Sequence, residues 1–195
     1  MDVGANIGLV SLLVADTIQH AILFEPNPIL VERAKENLRL NRLSFQIVNC
    51  ALSDCTGTVE FENSTNFACN RTVDGFRPSV PTIMVQRTTF DEFLMKNPVT
   101  HPITAVKIDV EGHENSVLRG MKEFLKHRRP KLIMFEYLQQ TNIVDTLSLF
   151  RDVGYSVFEL SPIGPRAATE SVTPLQDLFA CPTELAEGFG IEWAG

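Results

Sequence analysis

The sequence predicts an α/β fold in which a mainly parallel sheet is covered by helices on both faces. Three observations predict it: strand-like and helix-like segments alternate, the strand-like segments are almost continuously apolar, and a glycine-bearing turn follows the first of them. A chain of 195 residues, 44% of them hydrophobic, is long enough to bury one substantial core. We therefore expect a single domain over residues 1–195.

Each element is placed by its pattern. Strands are expected at short apolar runs bounded by turn residues: 1–3, 21–24, 45–52, 58–61, 82–85, 105–110, 132–135, 155–160 and 177–181. Helices are expected at the amphipathic or apolar segments between them: 9–18, 29–40, 90–96, 114–126 and 143–153. Asn27 before Pro28 is a typical helix start, and Thr89 with Glu92 forms a capping box. The last two strands lack a full helix between them, which indicates an antiparallel pair, and residues 54–88 look like a hairpin insertion.

Charge and composition exclude several classes of protein. The formal net charge of −7 repels phosphate backbones, so we expect no nucleic-acid partner. No apolar run reaches the roughly 18 residues that span a bilayer, and no signal peptide is visible. The four cysteines form no zinc-like or disulfide-like spacing. These features predict a cytoplasmic protein without a membrane span; its oligomeric state is not readable.

The turn after the first strand has the composition of a ligand-binding loop. Gly4 and Gly8 let the chain turn sharply and let a ligand approach the backbone, and the following helix points its N–H groups toward that ligand. The pattern is G-x-N-x-G, with Asn6 at its centre, and so lacks the third glycine of a dinucleotide fingerprint. Asp2 can accept hydrogen bonds from an amine. A purely structural glycine turn is the alternative.

Glu25 ends the second strand, 21 positions after Gly4. Nucleoside-binding domains of this type place an acid there because a carboxylate can accept both ribose hydroxyls. A solvated carboxylate at a strand end is the alternative. The glycine turn and Glu25 together favour a nucleoside ligand.

A second polar cluster follows the strand at 105–110. Asp109, Glu111, His113 and Glu114 stand within six residues, around a turn at Gly112. Carboxylates and imidazole can remove a proton from a hydroxyl or hold a divalent cation. The alternative, acids that complement a helix dipole, accounts well for Glu114. We expect Asp109, Glu111 and His113 to act in catalysis.

Five segments together closely resemble the FkbM-type methyltransferases. They are Asp-Val-Gly-Ala-Asn-Ile-Gly from Asp2, Phe-Glu-Pro-Asn-Pro around Glu25, Ala-Leu-Ser-Asp from Ala51, Thr-Phe-Asp-Glu-Phe from Thr89, and Lys-Ile-Asp-Val-Glu-Gly-His-Glu from Lys107. The resemblance implies a Rossmann-like class I methyltransferase with strand order 3-2-1-4-5-7-6, in a single S-adenosylmethionine-binding domain. It implies S-adenosylmethionine as methyl donor and a hydroxyl of a small molecule or sugar as acceptor.

The same resemblance implies roles for individual residues. Gly4, Asn6 and Gly8 would hold the amino acid portion of the cofactor, and Glu25 its ribose. Asp2, from its ability to accept hydrogen bonds from an amine, and Asp109, from its place after the strand, are expected to bind the cofactor as well. Ala51, Leu52 and Ser53 would flank adenine. Glu136 falls where such proteins often carry an acid that faces the pocket. Members of the family normally carry a complete first strand before the glycine turn, so the first strand is expected to be truncated here.

Two routes could activate the acceptor, and two other functions stay open. His113 or Asp109 could act as general base, or a divalent cation at Asp109 and Glu111 could acidify the hydroxyl; no metal ligand set is assigned. Residues 62–81 lie where an acceptor lid would be, with Phe67 and Phe76 as platforms. The alternatives are a non-catalytic adenosyl-binding or scaffold domain and a nicotinamide oxidoreductase.

Overall fold

The protein is described by a computed structural model that covers residues 1–63, 71–73 and 80–188. The strands of these residues are β1 (Asp2–Val3), β2 (Ala21–Phe24), β3 (Phe45–Val48), β4 (Ala51–Leu52), β5 (Gly57–Glu62), β6 (Thr82–Thr88), β7 (Ala105–Ile108), β8 (Leu132–Tyr137), β9 (Tyr155–Ser161), β10 (Gly164–Ala167) and β11 (Gln176–Pro182). The helices are α1 (Leu9–Leu13), α2 (Pro28–Leu40), α3 (Phe90–Lys96), α4 (Glu114–Arg119), α5 (Lys122–Arg128), α6 (Ile143–Asp152) and α7 (Thr183–Gly188).

The main sheet has the order β10-β9-β11-β8-β7-β1-β2-β3. The five adjacent strands β8, β7, β1, β2 and β3 are parallel to one another, whereas β11 runs antiparallel to both β8 and β9. The α/β class and the antiparallel late strands are therefore confirmed. The prediction of a seven-stranded sheet was wrong: among the described residues the main sheet has eight strands, because the chain turns back at residues 161–164 and adds β10 antiparallel to β9. Gly164–Ala167 contains no apolar run from which a strand could be predicted. The strand forms through backbone pairing with β9.

The sheet is buried on both faces, which explains its apolar strands. In β2, Ile22 and Phe24 belong to a large cluster that includes residues of α3, α4 and α5, while Ala21 and Leu23 pack on the other side with Leu38 of α2. The alternation of side chains along a strand sends successive residues to opposite layers. A strand covered on both faces must therefore be apolar throughout.

The expected third strand, 45–52, was wrong as a single element. It divides into β3, which pairs with β2, and β4, which pairs with β6 in a separate three-stranded sheet of order β4-β6-β5. The chain bends between them, where the Cys50 N–H donates to the Val48 carbonyl at 3.0 Å. The hairpin of β5 and β6 lies within the expected insertion at 54–88. Phe67 and Phe76 lie outside the described residues.

Two expected helices were also wrong in extent. The buried helix at 9–18 ends at Leu13, continues as a 3-10 turn at Ala15–Thr17, and leaves Leu9 and Leu13 56% and 77% exposed. The helix at 114–126 is interrupted between α4 and α5 at Gly120. A Cβ on Gly120 would lie 1.8 Å from the Ser53 carbonyl oxygen, so this glycine lets the chain pass beside residue 53. Close tertiary contact, which sequence periodicity does not report, sets this boundary.

The starts of α2 and α3 agree with the sequence. The Asn27 side chain accepts the Ile29 N–H at 2.9 Å, and the Thr89 hydroxyl accepts the Glu92 N–H at 3.0 Å. Within the described residues, no helix is both long and apolar enough to cross a bilayer.

Candidate active site

A cleft of about 340 Å³ opens at the carboxyl ends of β1, β2 and β7. Three chain segments supply most of its wall: residues 3–7 after β1, residues 24–26 after β2, and residues 107–113 at the end of β7. Cys50, Ala51 and Leu52 close one side, and Phe61 with Thr72 close another. In open parallel sheets this edge is where ligands bind, because the loops after the strands converge there.

The glycine turn is shaped by the loop of the neighbouring strand. Gly4 has a φ of +71°, and a Cβ there would lie 1.9 Å from the carbonyl oxygen of Asp109. The Gly4 and Ala5 N–H groups both donate to the Phe24 carbonyl at 3.0 Å. Only glycine therefore allows this close approach of the two cleft segments. The close approach of a ligand to Gly4 stays a prediction.

The Glu25 carboxylate is hydrogen-bonded to the glycine turn after β1. Only 4% of the residue is exposed, and its two carboxylate oxygens accept the N–H groups of Asn6 and Asn27, each at 2.8 Å. Burial raises the pKa of Glu25, against the lowering effect of these two hydrogen bonds. Each oxygen keeps a second lone pair, so the carboxylate can still accept hydrogen bonds from a ligand in the cleft.

Two of the expected cofactor residues lie behind the cleft wall rather than on it. Asp2 is buried; its Oδ2 accepts the Ser11 hydroxyl at 2.8 Å, and its Oδ1 lies 3.3 Å from the Lys107 ammonium nitrogen. Gly8, with a φ of +79°, donates its N–H to the Ala5 carbonyl at 2.8 Å and precedes α1. Gly4, Asn6, Glu25, Ala51, Leu52 and Asp109 do line the cleft.

Lys107 is a cleft residue that the sequence analysis did not single out. Its ammonium donates to the Gly4 carbonyl at 2.9 Å and lies 3.3 Å and 3.4 Å from carboxylate oxygens of Asp2 and Asp109. Its side chain is 10% exposed. A lysine within a buried apolar strand needs a negatively charged or hydrogen-bonding partner. The presence of Lys107 in such a strand was therefore the signal that the sequence offered.

His113 points toward the side of the cleft formed by residues 50–52. Its Nε2 lies 3.0 Å from the hydroxyl oxygen of Ser53, which is fully buried. Which partner donates depends on the histidine tautomer. The two residues are 60 positions apart and join the segment expected near adenine to the loop after β7.

Three carboxylates form a cluster beside the cleft. Asp109, Glu111 and Glu136 each offer an oxygen that lies within 4.8 Å of the others, close enough for their charges to repel one another or to surround a cation. Burial, and then the charges of Asp109 and Glu114, raise the pKa of Glu111. Burial, followed by neighbouring carboxylates, raises the pKa of Glu136 to about 7.

Glu114 shapes the loop that carries this cluster. It is fully buried, and its Oε1 accepts the N–H groups of Val110 and Gly112 at 3.2 Å and 3.1 Å. Thr141 donates its hydroxyl to the other oxygen at 3.4 Å. Burial raises the pKa of Glu114. Glu114 lies in the first turn of α4, where a negative charge complements the helix dipole. Its hydrogen bonds give it a second role, which is to fix the loop.

The fold and cleft together define the class of this protein: a Rossmann-like α/β domain whose ligand cleft lies at the carboxyl ends of its parallel strands, with carboxylates on opposite sides. The model of the methyltransferase FkbM domain matches residues 2–157. The chain therefore belongs to the FkbM methyltransferase family.

Known proteins that are similar to the chain include a methyltransferase and a decarboxylase. Hexuronic acid methyltransferase AglP of Haloferax volcanii is 35% identical over 126 residues, which are 64% of this chain and 50% of that protein. The chain thus spans about half the length of this curated relative. The solved structure of precorrin 8W decarboxylase from Methanobacterium thermoautotrophicum is similar with a TM-score of 0.46 and 17% sequence identity, over 92% of this chain and 77% of that one.

Proposed function

We propose that this chain binds S-adenosylmethionine in the cleft and transfers its methyl group to a hydroxyl oxygen of a saccharide. The observation that carries the proposal is the convergence of the glycine turn, Glu25 and the Asp109–Glu111 loop on one cleft, in a member of a methyltransferase family. We also propose that residues 1–195 act as one domain, with residues 54–88 as an insertion beside the cleft.

The residues of the cleft fit such a cofactor. Its volume of about 340 Å³ falls within the range of roughly 300–1,000 Å³ typical of small-molecule sites. Glu25 retains acceptor capacity for two ribose hydroxyls, and Ala51 and Leu52 offer an apolar wall for a base. Gly4 and Asn6 would hold the amino acid portion, while Asp2 and Gly8 support the turn from behind the cleft wall.

The chain's own contribution to methyl transfer would be alignment and proton removal. S-adenosylmethionine, when bound, supplies an electrophilic methyl group on a positively charged sulfur. The cleft would hold the acceptor oxygen in line with that group, which lowers the barrier because the two reactants are already positioned for transfer. A carboxylate at the end of β7 would take the hydroxyl proton as the new bond forms.

The carboxylates suit the role of base better than His113 does. The Nε2 of His113 is engaged by Ser53 on the side of the cleft assigned to adenine. Asp109 and Glu111 also line the cleft, and the Asp109 side chain is 43% exposed. We therefore assign Asp109, assisted by Glu111, to proton removal, and propose that His113 orders the adenine side.

The saccharide acceptor is proposed from the relative's name, which states a hexuronic acid. The test is transfer of radiolabelled methyl groups from S-adenosylmethionine to a panel of methyl glycosides that includes uronic acids and neutral sugars. We expect transfer by the wild-type chain and a loss of about 10²-fold or more in Asp109→Asn. Asp16→Asn, an exposed substitution in the 3-10 turn, is the matched control. Cofactor binding without transfer to any glycoside would instead favour a non-catalytic adenosyl-binding domain.

A further inference from the structure

Glu136 lies on β8, between the neighbouring strands β7 and β11. It follows Phe135, which pairs with Ile108, so that it lies level with Asp109 at the ends of adjacent parallel strands. On its other side it pairs directly with Asp177 of β11. Directly paired residues on neighbouring strands point to the same face of a sheet. Glu136 therefore shares its side of the sheet edge with acids on both neighbouring strands.

One oxygen of Glu136 is enclosed without a partner. Its Oε2 has less than 1 Å² of exposed surface and no hydrogen-bond donor among the described residues. A shielded carboxylate oxygen without a donor is costly when the group is ionised. Protonation removes that cost, because a neutral carboxyl group is much cheaper to enclose than a carboxylate.

The charges around Glu136 favour its protonated form. Those on adjacent elements that raise its pKa, after burial, are Asp109, Glu111, Glu114 and Asp177. The nearby cations contact other groups. The Lys107 ammonium contacts Gly4, Asp2 and Asp109. Arg71 forms an ion pair with Glu62 and lowers the pKa of Glu111. Carboxylates this close cannot all ionise readily, so one of them retains a proton to a higher pH.

We propose that Glu136 shares a proton with Asp109 and Glu111, and that the three carboxylates form one proton-accepting group at the acceptor side of the cleft. Two geometric observations support it: one oxygen of each residue lies within 4.8 Å of the others, and the Oε2 of Glu136 is enclosed without a hydrogen-bond partner among the described residues. The assignment rests on the proposed function for its use in catalysis. Because Glu136 does not line the cleft, it acts through Asp109 and Glu111 and is a positioning residue.

The proton balance of the transfer follows directly. The acceptor oxygen forms a bond to the methyl carbon, the bond from that carbon to sulfur breaks, and its electron pair stays on sulfur. The hydroxyl proton passes to Asp109 or Glu111 and comes to rest in the cluster with Glu136. The form ready to react is the one with Glu136 ionised, so activity rises with pH as this proton leaves.

The test is carbon-detected NMR titration of the full chain carrying glutamate labelled at its carboxyl carbon, with S-adenosylhomocysteine present. We expect one glutamate carboxyl with a midpoint near 7, absent in Glu136→Gln and shifted to lower pH in Asp177→Asn. Glu60→Gln, an exposed substitution on β5, should leave that signal unchanged. A Glu136 carboxyl that titrates at the ordinary acidic value overturns the proposal. So does millimolar magnesium chloride that saturably abolishes the midpoint, since the cluster would then be a cation site.

A second measurement separates this proposal from the proposed function. Glu136→Gln should bind S-adenosylhomocysteine as the wild type does, because Glu136 lies outside the cofactor cleft. In methyl transfer, the acid limb near pH 7 should move to lower pH in Glu136→Gln, with kcat reduced about 10-fold or more and KM unchanged. Partial recovery is expected in Glu136→Asp. If the chain binds no S-adenosylhomocysteine, the proposed function fails, while the NMR titration still decides whether the proton is shared.

Discussion

At the scale of single residues, Lys107 connects two motifs that lie far apart in the sequence. Its ammonium holds the Gly4 carbonyl and carboxylates of Asp2 and Asp109. A lysine in an apolar strand indicates that it has a partner, but the sequence does not show which residue, because Asp2 and Gly4 lie more than a hundred positions away. Asp2 was expected to bind the cofactor, whereas the structure places it behind the cleft, against Lys107 and Ser11.

This pairing predicts the result of a mutational cycle. Lys107→Met should lower the free energy of unfolding by about 3–5 kcal/mol, because it leaves the Asp2 carboxylate buried without its cation. Asp2→Asn with Lys107→Met should recover much of that loss, since an amide oxygen can still accept the Ser11 hydroxyl. Urea denaturation of the wild type, both single variants and the double variant measures the coupling. Additive losses would show that the pair does not act as described.

At the scale of elements, the structure explains which boundaries were predictable. The starts of α2 and α3 follow from Asn27 and Thr89, whose side chains cap their helices by purely local hydrogen bonds. The interruption between α4 and α5 depends on contact with the distant Ser53 carbonyl, and the division of β3 from β4 depends on pairing with β6. The helix starts were predictable because local hydrogen bonds determine them. The other two boundaries were not, because contacts between distant parts of the sequence determine them.

The loop between β7 and α4 is expected to depend on Glu114. Glu114→Ala removes the acceptor for the Val110 and Gly112 N–H groups and should cost about 2–4 kcal/mol of stability. Glu114→Gln keeps an oxygen for these donors and gives Thr141 an amide partner, so its cost should stay near 1 kcal/mol or less. Chemical denaturation compares the two. Equal losses in both variants would mean that charge, rather than acceptor geometry, holds the loop.

At the scale of the whole molecule, the sheet places acids from several elements around one edge. The class of fold, the antiparallel late strands and the position of the cleft edge were predictable, because strand polarity and alternation determine them. The eighth strand and the meeting of Glu136 with Asp109 and Glu111 were not, because both depend on how β8, β10 and β11 pair. The sequence indicated an acid at residue 136 but gave it no role.

This concentration of acids predicts how stability depends on pH. Since the folded pKa of Glu136 lies near 7, above the ordinary glutamate value, the folded chain binds more protons than the unfolded chain between those two values. Stability is therefore lost as pH rises through about 7. Glu136→Gln should be more stable than the wild type at pH 8, by about 1 kcal/mol after allowance for its partial exposure, and should show little difference at pH 4. Urea denaturation across this range provides the check, and parallel curves for the two proteins would contradict it.

The central claim, that the cleft is a cofactor site, is tested most directly by calorimetric titration of the full chain with S-adenosylhomocysteine. We predict saturable binding by the wild type and by the exposed control Glu60→Ala, and an affinity about 10–100-fold weaker in Glu25→Ala, as expected for lost hydrogen bonds to a charged acceptor. Glu25→Gln, which keeps one acceptor for the glycine turn, shows whether a change reflects the ligand or the turn, and circular dichroism confirms that each variant is folded. A folded wild-type chain that binds nothing, or a Glu25→Ala chain that binds equally well, would contradict the account.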